Sequence, residues 1–105
     1  MAWWKRLFRN VRRGEKCHYV GRASWYEMPG LVRTDVGIVY FTSHRIIFDG
    51  LQGRKFIPLA SLNGMRVLPE GIGLIRRKKH RVIGIDGDVE EAAAVLNALL
   101  SRGRI

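Results

Sequence analysis

Residues 37–50 read Gly37-Ile38-Val39-Tyr40-Phe41-Thr42-Ser43-His44-Arg45-Ile46-Ile47-Phe48-Asp49-Gly50. Two runs of β-branched and aromatic residues flank the turn-forming pair Ser43-His44, so the stretch predicts a β-hairpin. With Phe41 opposite Ile46, Val39 falls opposite Phe48, and these four side chains share one face. Tyr40 then pairs with Ile47 on the other face, where Ile38 joins them. Both faces are therefore apolar. A sheet with one wet face alternates cleanly, so the outer face of this hairpin is expected to be covered, by another element of the chain or by another copy of it.

Working outward, turn signals recur at Met28-Pro29-Gly30, at residues 50–53, at Pro69-Glu70-Gly71 and at residues 76–81. The stretches between them are short and rich in strand formers, which predicts about seven strands joined mostly by tight turns. The chain then changes period. Asp88 followed by Glu91 is a helix start of the capping-box kind, and Val89, Ala92, Ala93, Leu96, Leu99 and Leu100 mark one apolar helical face. A helix over 89–102 is predicted, with Gly103 as its stop. With 105 residues and 47% hydrophobic content, the chain fills one domain and has no room for a second.

The hairpin resembles the signature of GRAM and bacterial pleckstrin-homology-like (PH-like) domains: glycine, apolar residues, Tyr, an apolar residue, Thr, two turn residues, Arg, two apolar residues, Phe, any residue, Gly. Its flanks agree. Gly14-Glu15-Lys16 before a first strand at about residues 17–26 resembles the family's opening. Phe56-Ile57-Pro58-Leu59 followed by Leu62-Asn63-Gly64-Met65 resembles its next unit, and Ile72-Gly73-Leu74-Ile75, Val82-Ile83-Gly84-Ile85 and the closing helix complete the order. The resemblance covers residues 15–102 and implies a mainly β (α+β) fold. In that fold about seven antiparallel strands, in two packed sheets, form a partly open barrel with the C-terminal helix capping one end. Relatives of this fold bind lipids or peptides, or act as scaffolds. Phosphoinositide-binding relatives carry basic residues in the loop after the first strand. Here that loop, Met28 to Arg33, offers only Arg33, so the resemblance implies instead a diffuse basic rim of Arg54, Lys55, Arg76, Arg77, Lys78, Lys79 and Arg81.

The charge distribution points the same way. The formal net charge is +10, from 19 Lys and Arg against 9 Asp and Glu. Lys5, Arg6, Arg9, Arg12 and Arg13 form one acid-free group, and Arg76, Arg77, Lys78, Lys79 and Arg81 form another. These ten carry the whole excess, leaving the body of the chain neutral. The first group lies in an expected amphipathic helix over residues 1–13, whose stripe of Trp3, Trp4, Leu7, Phe8 and Val11 suits a membrane interface. The same aromatics also suit packing on the Tyr40 and Ile47 face, or docking of a second subunit. The second group reads as a phosphate clamp, a headgroup contact or a solvated hairpin tip. It contains no aromatic, so it lacks the stacking platform of single-strand nucleic-acid binders.

Other chemistry is poorly represented. The single cysteine, Cys17, admits no internal disulfide and suits a reducing compartment. No apolar run reaches the length of a spanning helix, and the N-terminus lacks the apolar core of a secretory signal. His18, His44 and His80 have no metal-site spacing, and Ser24, Ser43 and Ser61 lack a nucleophile context. Neither catalytic nor metal residues are expected, nor a cofactor or small-molecule substrate. The expectation is a non-enzymatic, cytoplasmic PH-like module, peripheral at the inner face of the membrane. It associates reversibly with an anionic lipid surface through Trp3, Trp4, Leu7 and Phe8, the N-terminal bases and the basic rim. The alternative is a protein-interaction or homo-oligomerising scaffold using the same aromatics, and nucleic-acid binding comes third.

Overall fold

A computed structural model describes residues 13–28, 30–77 and 79–102. The chain forms β1 (Cys17–Glu27), β2 (Val32–Thr42), β3 (Arg45–Gly50), β4 (Gly53–Pro58), a 3-10 turn (Leu59–Ser61), β5 (Leu62–Leu68), β6 (Gly71–Arg76), β7 (His80–Ile85) and α1 (Val89–Arg102). The expected seven strands and terminal helix are all present. The strands make one sheet in the order β4-β3-β2-β1-β7-β6-β5, and every neighbouring pair is antiparallel. This corrects the expectation of two packed sheets: the barrel is one continuous sheet. Ala23, Ser24, Trp25 and Tyr26 of β1 pair with β2 on one side and β7 on the other, so β1 is shared and the sheet is continuous. Its edges, β4 and β5, do not pair with each other, which leaves the barrel open along that seam.

The hairpin of β2 and β3 has the predicted register, with Phe41 opposite Ile46, Tyr40 opposite Ile47 and Val39 opposite Phe48. Val39, Phe41, Ile46 and Phe48 enter a single core with Ile57 of β4, Ile72 and Leu74 of β6 and Ile83 of β7. One curled sheet thus wraps its own inner face. α1 closes that core with Ala92, Ala93, Leu96, Leu99 and Leu100, each buried leucine contributing about 1.5–3 kcal/mol. The Asp88 carboxylate accepts a hydrogen bond from the Glu91 amide at 3.1 Å, fixing the helix start. Gly103 lies outside the described residues.

The glycines that bound the hairpin are cross-strand partners. A Cβ on Gly37 would strike the Asp49 carbonyl oxygen and come within 2.6 Å of the Gly50 Cα. At Gly50 it would strike the Asp35 carboxylate. Both positions require glycine because another backbone or a buried acid occupies the space.

The Ser43-His44 turn is tied to the residues ahead of β1. Ser43 N donates to Lys16 O at 2.8 Å, and Lys16 N donates to Ser43 Oγ at 3.0 Å. Glu15, fully buried, accepts from the Thr42 hydroxyl at 2.5 Å and from Arg45 Nε at 3.1 Å. Thr42 Oγ1 in turn accepts from the His44 and Arg45 amides at 3.1 and 3.0 Å. The Thr and the Arg of the hairpin signature are therefore two ends of one network centred on Glu15.

Burial pushes the Cys17 thiol above its ordinary pKa, and nearby Glu15 adds to the shift. Burial raises Tyr19 too, reinforced by Glu91 and Asp88, and it raises Tyr40, reinforced by Asp49. A raised acid favours folding in its neutral form. Its contribution is complete below the unfolded pKa and is lost as pH rises through the folded one. The denaturant midpoint is therefore expected to fall on alkaline titration through the thiol and phenol range, and Cys17 to alkylate more slowly than free glutathione at the same pH. A flat alkaline profile with glutathione-like alkylation contradicts this.

Candidate functional site: the open end of the barrel

β1 and β3 run in the same direction and β7 opposes β1, with Tyr26 paired to Val82. The turns after β1, β3 and β6 therefore gather at one end of the barrel. Met28 lines a depression there with Ile75, His80 and Arg81, which places the first and third of these turns side by side.

Trp25 is the floor of this end. It lies on the inner face of β1, opposite Asp35 on one side and Ile83 on the other, with its ring 5.4 Å from that of Phe48. Lys55 Nζ sits 5.4 Å from the indole centroid and Arg81 Cζ sits 5.9 Å from it. Cations over an aromatic face gain about 0.5–2 kcal/mol. The edge strand β4 and the interior strand β7, on opposite sides of β1, thereby bring two basic groups to one ring. Glu27 orders the arrangement: it accepts from Trp25 Nε1 at 3.3 Å and from Arg81 Nη1 at 3.2 Å. Lys55 makes no salt bridge among the described residues, so its charge stays available at the mouth.

Asp35 shapes the rim. Its Oδ1 accepts from the amides of Val36 at 2.8 Å and Leu51 at 3.0 Å, and its Oδ2 accepts from that of Gln52 at 3.0 Å. A buried carboxylate thus holds the turn between β3 and β4, and that turn presents Leu51 with 82% of its surface exposed. Met28 and Leu31 on the turn after β1, and Val32 at the start of β2, are also exposed. Leu31 has φ +50°, a left-handed conformation costing about 1–2 kcal/mol in a residue with a Cβ. The end of the barrel therefore combines apolar turn residues in water with a basic mouth.

Most of the chain is similar in fold to solved structures. No protein-family model matches it, and no curated protein matches it. Among solved structures it is similar to the Vps36 N-terminal PH domain, with a TM-score of 0.75 and 16% identity over 88% of this chain and 83% of that one. The fold is PH-like. A second similar structure is the C-terminal domain of an unknown protein from Leishmania infantum, with a TM-score of 0.71 and 12% identity over 84% of this chain and 86% of that one. Identities this low carry the fold and nothing finer. The likeness reaches the PH-like fold expected from the hairpin signature and does not reach the GRAM or bacterial subfamilies.

Within this PH-like barrel the residues of the expected rim separate. Lys55 and Arg81 meet over Trp25. Arg76 ends β6, with Arg77 and Lys79 exposed in the turn beyond it and Lys78 outside the described residues. None of Arg76, Arg77 and Lys79 forms a salt bridge among the described residues. Arg54 is turned to the outer face, where its Nε donates to Asp49 at 3.2 Å. Arg13 is exposed at the start of the described chain. Trp3, Trp4, Lys5, Arg6, Leu7, Phe8, Arg9 and Arg12, with the expected N-terminal helix, lie outside the described residues. Reading from sequence missed Trp25, Glu27, Asp35 and Leu51. Strand alternation puts Trp25 and Glu27 on one face, but nothing local shows that Lys55 and Arg81 reach the same ring.

The histidines and serines serve turns and surfaces. Ser43 Oγ contacts His44 Nδ1 at 2.9 Å within the turn, and Ser61 Oγ donates to Pro58 O at 2.7 Å. His18 and His80 are exposed. Among the described residues no three His, Cys, Asp or Glu side chains are grouped to hold a metal ion, and no helix is long and apolar enough to cross a membrane.

Proposed function

We propose that this chain is a non-enzymatic PH-like binding module that associates reversibly with anionic membrane surfaces through the open end of its barrel. The observation that carries the reading is Leu51, held out in water by Asp35 on the turn after β3, at the end of the barrel where Lys55 and Arg81 meet over Trp25 and where the turn after β6 carries Arg77 and Lys79. An exposed leucine at a rigid turn gains nothing in water. At a bilayer it enters the headgroup boundary while the neighbouring bases meet acidic lipid, each worth about 1 kcal/mol. Met28 and Leu31 on the turn after β1, with Val32 at the start of β2, widen the apolar contact. The reading does not depend on the N-terminal stripe.

The test is sedimentation with vesicles. The protein pellets with phosphatidylserine-containing vesicles and stays in the supernatant with pure phosphatidylcholine, and raised salt weakens the former as the Debye length shrinks. Equal recovery with both vesicle types would remove the anionic-surface reading.

A second reading, protein interaction or self-association, is favoured by the sheet edges. β4 and β5 end the sheet without partners in it, and Phe56 on β4 and Val67 on β5 are exposed. Such edges accept an added strand. A solution mass above that of one chain supports this second reading. RNA displacing the protein from vesicles supports nucleic acid.

A further inference from the structure

Val67 is wet on the side of the sheet that should be dry. It pairs with Ile72 on the inner face of the barrel, yet it is 52% exposed while Ile72 is fully buried. Met65, the preceding inner position on β5, pairs with the buried Leu74 and is itself buried only in part. Both stand on a strand that ends the sheet, and among the described residues no strand pairs with its outer edge. α1 runs beside them. Glu90, Ala93, Ala94 and Asn97, spaced along one helical face, line a groove of about 480 Å³ together with Met65 and Val67. Ala93 and Ala94 offer only a methyl group each, so the helix wall stands back from the strand. An edge strand turns alternate N–H and C=O groups outward. An added strand completes such an arrangement: the edge supplies main-chain hydrogen bonds, and the groove takes every second side chain.

We propose that β5 and α1 form a docking site for an extended segment of another protein in which apolar and acidic residues alternate. The inference rests on the protein-interaction reading of the sheet edges and narrows it to one edge and one kind of partner. The alternation follows from the two sides of β5. On the groove side stand Met65 and Val67, and Glu90 closes the groove toward the helix start, so that side accepts apolar groups and repels acids. On the outer side stands Arg66, paired with Gly73, exposed and in no salt bridge among the described residues. An acid complements that side. Charge also disfavours a second copy as the occupant. β4 carries Arg54 and Lys55, β5 carries Arg66, and neither strand contains an acid, so joining the edges of two copies sets bases against bases. β4 is the poorer edge, because Pro58 has no N–H to donate and Lys55 is drawn to Trp25.

The full chain tests this with a short fluorescein-labelled peptide of alternating valine and glutamate. Two controls accompany it: the valine and lysine counterpart, and a fully N-methylated valine and glutamate peptide, which has no N–H to pair with a strand. Anisotropy is expected to show the plain acidic peptide binding about tenfold tighter than either control, with the amide resonances of residues 64–68 and 90–97 shifting. Arg66→Glu is expected to reverse the preference toward the lysine peptide. Ala94→Trp fills the groove from an exposed helix position and is expected to weaken the acidic peptide about tenfold with the thermal midpoint kept. Equal binding of the N-methylated peptide overturns the proposal, reducing the contact to charge, and so does wild-type binding by Ala94→Trp. Shifts on residues 53–58 in place of 64–68 put the strand on β4, so that the protein-interaction reading stands and this site falls. With no response at either edge, both fall.

Discussion

Glu15→Ala is expected to lower the thermal midpoint by on the order of 15 °C. Glu15 is fully buried, and its carboxylate receives both the Thr42 hydroxyl and Arg45 Nε. Removing one partner of a buried charged pair costs about 3–5 kcal/mol, and in a domain of this size each kcal/mol moves the midpoint by about 4–8 °C. The lost carboxylate also frees the hairpin turn. Thr42 Oγ1 receives the His44 and Arg45 amides, and its own orientation is set by Glu15. Glu15→Gln keeps an acceptor for Thr42 and is expected to fall between wild type and Ala. A double-mutant cycle of Glu15→Ala with Arg45→Met should return a coupling energy of about 1–3 kcal/mol. A midpoint shift for Glu15→Ala of under about 4 °C, the scale of an ordinary surface substitution, would show that the network does not organise the turn.

That network also shows where sequence reading stops. The register of the hairpin was legible because Val39, Phe41, Ile46 and Phe48 can share a face in only one alignment once Ser43-His44 is the turn. The helix over 89–102 was legible because its period and its Asp88 start are local features. Glu15 was legible only as part of an opening. Its role arises across 30 positions from Arg45, and a lone acid beside Lys16 looks solvated until the fold brings it under the turn. The continuity of the sheet was hidden for a related reason. Whether β1 is the edge of a sheet or lies inside one depends on β7 returning to Ala23 and Trp25, a long-range pairing with no local signal.

The open end divides in the same way. Clustering made Arg76, Arg77 and Lys79 visible as a group, and they remain together at one turn. Arg54 and Lys55 are adjacent in sequence and so invite a single role. As neighbours on a strand they point to opposite faces, which sends Arg54 to Asp49 and Lys55 to Trp25. Leu51 gave no signal, because one leucine in a turn is unremarkable without knowing that Asp35 holds that turn rigid.

Leu51 therefore anchors the largest effect expected on binding. Arg77→Gln/Lys79→Gln removes two exposed charges, worth about 2 kcal/mol at an acidic surface, or roughly 30-fold in partition. Leu51→Ser withdraws a side chain whose full transfer from water is worth about 2 kcal/mol. The positions lie on different turns, so the losses are expected to add, giving about a thousandfold weaker partition into phosphatidylserine vesicles for the triple variant. All three residues are exposed and touch none of the core, so the thermal midpoint should stay within a few degrees of wild type, separating lost binding from lost folding. The two classes of substitution also separate by salt. The charge variants flatten the salt dependence of binding, whereas Leu51→Ser lowers affinity at every ionic strength alike, because screening acts on the Coulomb contribution and leaves apolar insertion untouched. If Leu51→Ser binds as wild type while Arg77→Gln/Lys79→Gln loses affinity, the open end is an electrostatic platform without insertion. If all variants bind as wild type, the contact lies elsewhere on the molecule.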